Sequence, residues 1–190
     1  MIRFLPKGAA APRCRQLGIR YHQSHATRYV GVAARLKALN LVLPKFQGAV
    51  GTYRKIIRDG DLLYTSTHFG MDDDGKTVSG KVGCGDPAIH GDLVTADEAH
   101  QLARNAGLRL LSTLDHFLEG DLDRVEQVIK LTGIVNGTPD FTGHGRVIDG
   151  CCDVLVEVLG GEVGMGVRTC SGSGSLGAAV TVDLVARVRD

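Results

Sequence analysis

The stretch Thr95-Ala96-Asp97-Glu98-Ala99-His100-Gln101-Leu102-Ala103-Arg104-Asn105-Ala106, continuing through Leu110, Thr113, Leu114 and Phe117 to Gly120, decides how the rest of the chain is read. Thr95 followed three residues later by Glu98 is a capping box, in which each side chain satisfies an otherwise unpaired backbone N–H at a helix start. From there Ala99, Leu102, Ala103, Ala106, Leu110, Thr113, Leu114 and Phe117 recur at spacings of three and four. That period gives a long helix with one apolar stripe, and Gly120 supplies its stop.

Working outward toward the N-terminus, residues 53–58 and 62–67 are rich in β-branched and aromatic side chains and flank Asp59-Gly60, a hairpin signal. Residues 34–39 predict a short helix closed by Asn40, with Pro44 preventing its continuation. Residues 71–83 read as a polar loop. Its aspartates, Asp72 to Asp74, lack the later acidic ligand of a calcium loop and read as a solvated turn. Toward the C-terminus, residues 122–135 predict a strand and Gly137 with Pro139 a turn. Residues 147–159 predict a second helix with Val147, Cys151, Val154, Leu155 and Val158 on one side, and residues 164–170 and 180–189 predict two closing strands.

This order predicts an α+β two-layer sandwich, a mixed sheet with two helices on one face. In the last strand Val180, Val182, Leu184, Ala186 and Val188 alternate with Thr181, Asp183, Val185 and Arg187, so the second sheet face is left to be covered by another copy.

Composition narrows the function classes. The chain has 190 residues, 43% hydrophobic and 23% charged, and no apolar run long enough to span a bilayer, so no membrane partner is expected. Five cysteines, Cys14, Cys84, Cys151, Cys152 and Cys170, form no Cys-x-x-Cys pair; Cys84, Cys151 and Cys152 read as small buried hydrophobes, and neither metal nor cofactor is expected. Residues 1–32 hold six cations and no acid, so the net charge of +1 leaves −5 for residues 33–190. An acidic body argues against a nucleic-acid surface. The basic segment 1–32 has the composition of a mitochondrial transit peptide. The alternatives are a basic tail or an upstream start, with a cytoplasmic location. Residues 33–190 are expected to form one domain.

Several separated blocks resemble the reactive-intermediate deaminase (Rid, YjgF-like) family, historically labelled translation inhibitor and endoribonuclease L-PSP. They are Gly51-Thr52-Tyr53 before a hairpin ending in Tyr64-Thr65-Ser66, then Gly80-Lys81-Val82-Gly83, and Gly120-Asp121-Leu122-Asp123-Arg124-Val125. Val135-Asn136 with Pro139-Asp140-Phe141, Asp149-Gly150 with Asp153-Val154-Leu155, and Arg168 followed by Leu176, Val180 and Val182 complete the set. The resemblance implies a chorismate-mutase-like fold assembled as a homotrimer with ligand clefts between subunits. It also implies that Arg168 forks onto a substrate carboxylate, that Asp183 stands where a glutamate positions the attacking water, and that Tyr53, Ser66, Cys170 and Phe141 line the cleft. A planar guanidinium suits a carboxylate because it offers two parallel N–H donors. Departures from the family pattern are Asp183 for glutamate, Thr52 for proline, Thr67-His68 for Gly-Gln, Gly145 for asparagine and Gly177 for proline.

Three functions follow as expectations. One is a hydrolase of enamines or imines that uses Arg168 as anchor and Asp183 with a water for proton transfer. A second is a non-catalytic sensor of small carboxylate metabolites. The third is the old label of endoribonuclease. Outside these roles His68 reads as a hydrogen-bonded residue at a loop mouth, Arg109 as a solvated helix residue, and Gly172, Gly174 and Gly177 as turns.

Overall fold

A computed structural model describes residues 30–72 and 74–190, so the transit-peptide reading of residues 1–32 lies almost wholly outside the described residues, as does Cys14. The elements in chain order are α1 (Val32–Ala38), β1 (Ile56–Asp59), β2 (Leu62–Thr65), β3 (His68–Phe69), β4 (Lys81–Val82), α2 (Pro87–His90) and β5 (Leu93–Val94). They continue with α3 (Ala96–Phe117), β6 (Val125–Asn136), α4 (His144–Leu159), α5 (Gly161–Gly164), β7 (Val167–Ser173) and β8 (Val180–Val188).

The main sheet runs β1-β2-β8-β6-β7, with β3 also pairing β8, and β4 and β5 form a separate parallel pair. It is mixed: β6 and β7 are parallel while the other main-sheet pairs are antiparallel. Two parallel neighbours cannot be joined by a tight turn, and α4 supplies the required crossover. Helices α3 and α4 lie together on one face, and their buried side chains join Leu63, Val128, Leu131, Val135, Val182, Leu184 and Ala186 in one core. The expected α+β two-layer architecture is the observed one.

Local signals fix the ends of the elements, with some shifts. Thr95 and Glu98 make both halves of the capping box on α3. At the other end Glu119 (φ 56) and the expected Gly120 (φ 88) both take positive φ, and Gly120 N–H reaches back to the Asp115 carbonyl at 2.8 Å. The helix therefore ends at Phe117, and its left-handed closing residues begin one position before the expected glycine. Its apolar stripe passes from Leu114 to buried Leu118, leaving Phe117 exposed, because four residues stay closer to one helix face than three at this position. Asn40 (φ 52) closes α1 as expected, with Leu41 N–H donating to the Leu36 carbonyl. The hairpin turn is Gly60-Asp61 rather than Asp59-Gly60, since Asp59 pairs with Leu62. Gly60 takes the positive φ of 60° that the first turn position demands. Residues 122–124 form a turn of 3-10 helix, and the strand expected over residues 122–135 begins only at Val125. Of the cysteines read as buried, Cys151 is buried and Cys152 half-buried, but Cys84 is exposed, held on the surface between Gly83 (φ 144) and Gly85 (φ 154).

Close helix packing is set by glycines. A Cβ on Gly107 would stand 2.6 Å from Val154 Cγ1, and one on Gly150 would run into the His100 carbonyl, so α3 and α4 meet nearly backbone to backbone. Gly133 leaves the matching space on β6 for Ile148. Arg35 of α1 then donates to the last carbonyl of α4, Leu159 O, at 2.7 Å. Gly150→Ala is expected to lower unfolding free energy by about 2 kcal/mol or more, as overpacking against a backbone does. Gly174→Ala, where an added Cβ would meet nothing within 4 Å, is expected to change it by less than about 0.5 kcal/mol. Urea unfolding of both variants measures the difference.

Candidate functional site

The parallel edge strand β7 carries Arg168 opposite Leu131 of β6, whose next partner on β8 is Leu184. Paired residues share a sheet face, so Arg168 lies on the face covered by helices, beside α4. Its Nη1 donates to the Asp149 carboxylate and, at 3.4 Å, to Cys152 Sγ. The Asp149 bond holds the guanidinium above its ordinary pKa, so it stays charged. Gly145 lies beside Nη2, where an added Cβ would start 3.5 Å away. Cys170 follows two residues on, on the same face, and burial raises its thiol pKa despite the nearby Arg168 charge. Burial does the same to Cys152. Both are neutral thiols rather than nucleophilic thiolates. Phe141 sits in the turn leading into α4, its ring edge-on to His144 at 5.2 Å, and His144 in turn faces Gly172 of β7. Arg168, Cys170 and Phe141 thus gather around α4 and the β7 edge.

Asp183 lies elsewhere. It pairs with Thr132, which pairs with Thr169, one position out of phase with the Leu184-Leu131-Arg168 row. Successive strand residues point to opposite faces, so Asp183 is on the face without helices. Within one chain Arg168 and Asp183 are separated by the sheet. Partial burial raises the Asp183 pKa, with the Thr132 hydroxyl and the Lys130 charge opposing the rise. On the same face Ile57, Tyr64, Val185, Lys130 and Val167 form one row across five strands, mostly apolar with Lys130 on β6, and Ile57, Tyr64 and Val167 are 47%, 40% and 68% exposed.

Tyr53 lies in a third place, a cavity of about 170 Å³ between the loop of residues 45–50, β3 and α3. Lys55, His68 and Arg109 line it with Tyr53, while Phe69 and Met71 supply apolar wall and the exposed Val50 borders it. Ser66, just before β3, donates its backbone N–H to Lys55 O at 2.8 Å, and its buried hydroxyl has no hydrogen-bond partner. His68 is buried, with Nε2 bonded to Thr113 Oγ1 at 2.7 Å. Its burial, reinforced by the Lys55 charge, pushes the imidazole pKa down to about 3. The sequence reading assigns Lys55 no role and reads Arg109 as a solvated helix residue, whereas both line this cavity. A signal did exist: Asn105, Arg109, Ser112 and His116 recur at spacings of four and three, a second stripe on α3 facing the overlying loops.

Among the described residues, no group of three or more His, Cys, Asp or Glu side chains is arranged to hold a metal ion. Asp72 instead accepts from Lys76 N–H at 2.8 Å in a tight turn. No described helix is long and apolar enough to cross a membrane.

The buried His68 links stability to pH. In the unfolded chain it takes a proton near pH 6.5, in the folded chain only near 3. Its contribution is therefore complete above pH 6.5 and lost as pH falls toward 3, by on the order of 4 kcal/mol. His68→Gln is expected to flatten that part of the stability profile relative to the parent, measured by urea unfolding from pH 8 to pH 4.

No family model matches the chain. Protein TCP17 of Trypanosoma cruzi is 33% identical over 161 residues, covering 84% of this chain and 95% of that protein. Among solved structures, a Shewanella oneidensis protein carrying an endoribonuclease label is 27% identical with a TM-score of 0.74, over 84% of this chain and all of that one. Atu1372 of Agrobacterium tumefaciens, of unknown function, is 29% identical with a TM-score of 0.71, over 83% of this chain and 92% of that one. The sequence blocks, the sheet order with its helix pair, and these likenesses agree: the chain belongs to the Rid/YjgF-like family, to which the endoribonuclease L-PSP and translation-inhibitor labels were also attached.

Proposed function

We propose that the protein assembles as a homotrimer and binds small carboxylate-bearing metabolites in clefts between subunits, hydrolysing reactive enamines or imines to a 2-oxoacid and ammonia. The observation that carries this reading is the placement of Arg168 and Asp183 on opposite faces of one sheet. A second copy brings the two together when its Asp183 face lies against the Arg168 edge of the first. The exposed apolar row of Ile57, Tyr64 and Val167 supports such a contact, because apolar area of this kind gains free energy when covered. The threefold count comes from the family.

In the cleft Arg168 binds the carboxylate through the donors that Asp149 leaves open, on the side where Gly145 adds no bulk. Asp183 of the neighbouring copy holds the attacking water. Water adds to the imine carbon, the nitrogen takes up protons, and the C–N bond breaks to release ammonia and leave the 2-oxoacid. A carboxylate whose pKa is raised by burial suits this proton transfer. Cys170, Phe141, Tyr53 and Ser66 line the cleft, the last two from the neighbouring copy. A second reading, a non-catalytic metabolite sensor, is favoured by one observation: Arg168 already has a carboxylate partner in Asp149. The endoribonuclease reading has the −5 charge of residues 33–190 against it.

Sedimentation velocity is expected to give a trimer, and the purified protein to speed ammonia release from freshly generated 2-aminoacrylate. Arg168→Ala should lose both turnover and 2-oxoacid binding. Asp183→Asn should lose turnover alone while keeping or raising the melting temperature, since it removes a charge that burial disfavours. When the two variants are refolded together in equal amounts, about a quarter of the shared sites should carry both native residues and regain activity. Parent protein with no ammonia release but intact 2-oxoacid binding would leave the sensor as the function; no recovery on mixing would sink the shared site.

A further inference from the structure

The cavity beside Tyr53 has chemistry of its own. Lys45, Lys55 and Arg109 all line it, and among its lining residues there is no aspartate or glutamate. None of the three cations makes an ion pair with a described carboxylate, whereas Arg58, Arg104, Arg146, Arg168 and Arg187 all do. The other members of the polar stripe on α3 are engaged: Asn105 donates to Met71 O at 2.9 Å, Ser112 to Pro44 O at 2.6 Å, and His116 stacks on Phe46 at 4.0 Å. These contacts fasten the overlying loops to the helix and leave Arg109 facing the space between them. Lys55 is held in place by its bond to Thr67 O at 2.6 Å. Burial and the Arg109 charge both lower the Lys55 pKa, and burial lowers that of Arg109, so the two cations sit close and partly dehydrated without compensation. Burying charge without a partner costs free energy, and an anion entering the cavity removes that cost.

We propose that this cavity is a second ligand site, distinct from the Arg168 anchor although Tyr53 borders both, which takes a short aliphatic carboxylate with its charged end on Lys55 and Arg109 and its hydrocarbon end against Phe69 and Met71. The volume of about 170 Å³ has room for on the order of six water-sized groups, which matches an acid of four to six carbons rather than a nucleotide or a peptide. The neutral imidazole of His68 forms part of the floor without adding charge. The site needs no second copy, so it stands whether or not the proposed assembly forms.

Isothermal titration of the full chain with acetate, butanoate and inorganic phosphate tests it. Butanoate is expected to bind saturably and about tenfold more tightly than acetate, from two further buried methylene groups. Arg109→Gln and Lys55→Gln should each weaken butanoate at least tenfold. Arg109→Lys should retain most of the affinity, and Arg168→Ala all of it. Arg109→Gln should also leave the melting temperature equal or higher, because the charge it removes has no partner; a purely structural arginine would lower it. The proposal is overturned if butanoate does not bind, if phosphate and acetate bind as tightly as butanoate, or if Arg168→Ala abolishes binding while Arg109→Gln leaves it intact. That last result would assign the acid to the intersubunit cleft instead.

Discussion

The near contact between the backbones of α3 and α4 at Gly107 and Gly150 is the constraint on which the remaining geometry rests. With side chains at those positions the helices would stand further apart, and the sheet below could not keep both in contact. Gly133 extends the same constraint into the sheet by admitting Ile148 against β6. Together they fix α4 over the boundary between β6 and β7, so that Asp149 and Cys152 come down on Arg168. A substitution in the helix pair, far from any ligand, would therefore be felt at the arginine.

Much of the fold was legible because its signals are local. A capping box, a left-handed asparagine and a stripe of period 3.6 each report on a handful of neighbouring residues, and each appears as read at Thr95, Asn40 and α4. Boundary shifts such as Glu119 for Gly120, or Gly60-Asp61 for Asp59-Gly60, are one-residue differences that the packed core decides. The site was legible in its residue types but not in its geometry. Arg168 and Asp183 are fifteen residues apart on strands that are not neighbours, and which faces they share depends on the registers of β7 and β8 against the intervening β6. No local pattern encodes that parity. Arg109 was missed for a different reason: a single arginine on a helix reads as solvated until a loop from sixty residues earlier is laid over it.

Electrostatically the two cationic sites are opposites. Around Arg168 the positive charge is balanced by Asp149, and the guanidinium is stabilised in its charged form. Around Lys55 and Arg109 the charges face one another, and burial weakens the hold of each on its proton. A balanced cation orients a ligand at little cost to the fold; an unbalanced pair stores repulsion that a ligand can release. The two cationic sites of one chain thus differ in kind, one neutralised by its own carboxylate and one left unbalanced.

The carboxamide of Asn136 gives the glycine-serine run a character that its composition conceals. Buried at the end of β6, its Nδ2 donates to Gly80 O at 2.8 Å and to Leu176 O at 3.1 Å, and Lys81 Nζ reaches Gly174 O at 2.5 Å. Two loops nearly a hundred residues apart in the chain are thereby riveted into one plate along the rim of the β7 edge. Hydrogen bonds from Asn136 and Lys81, rather than close packing of its glycines, hold the run in place: an added Cβ on Gly174 or Gly177 would meet nothing within 4 Å.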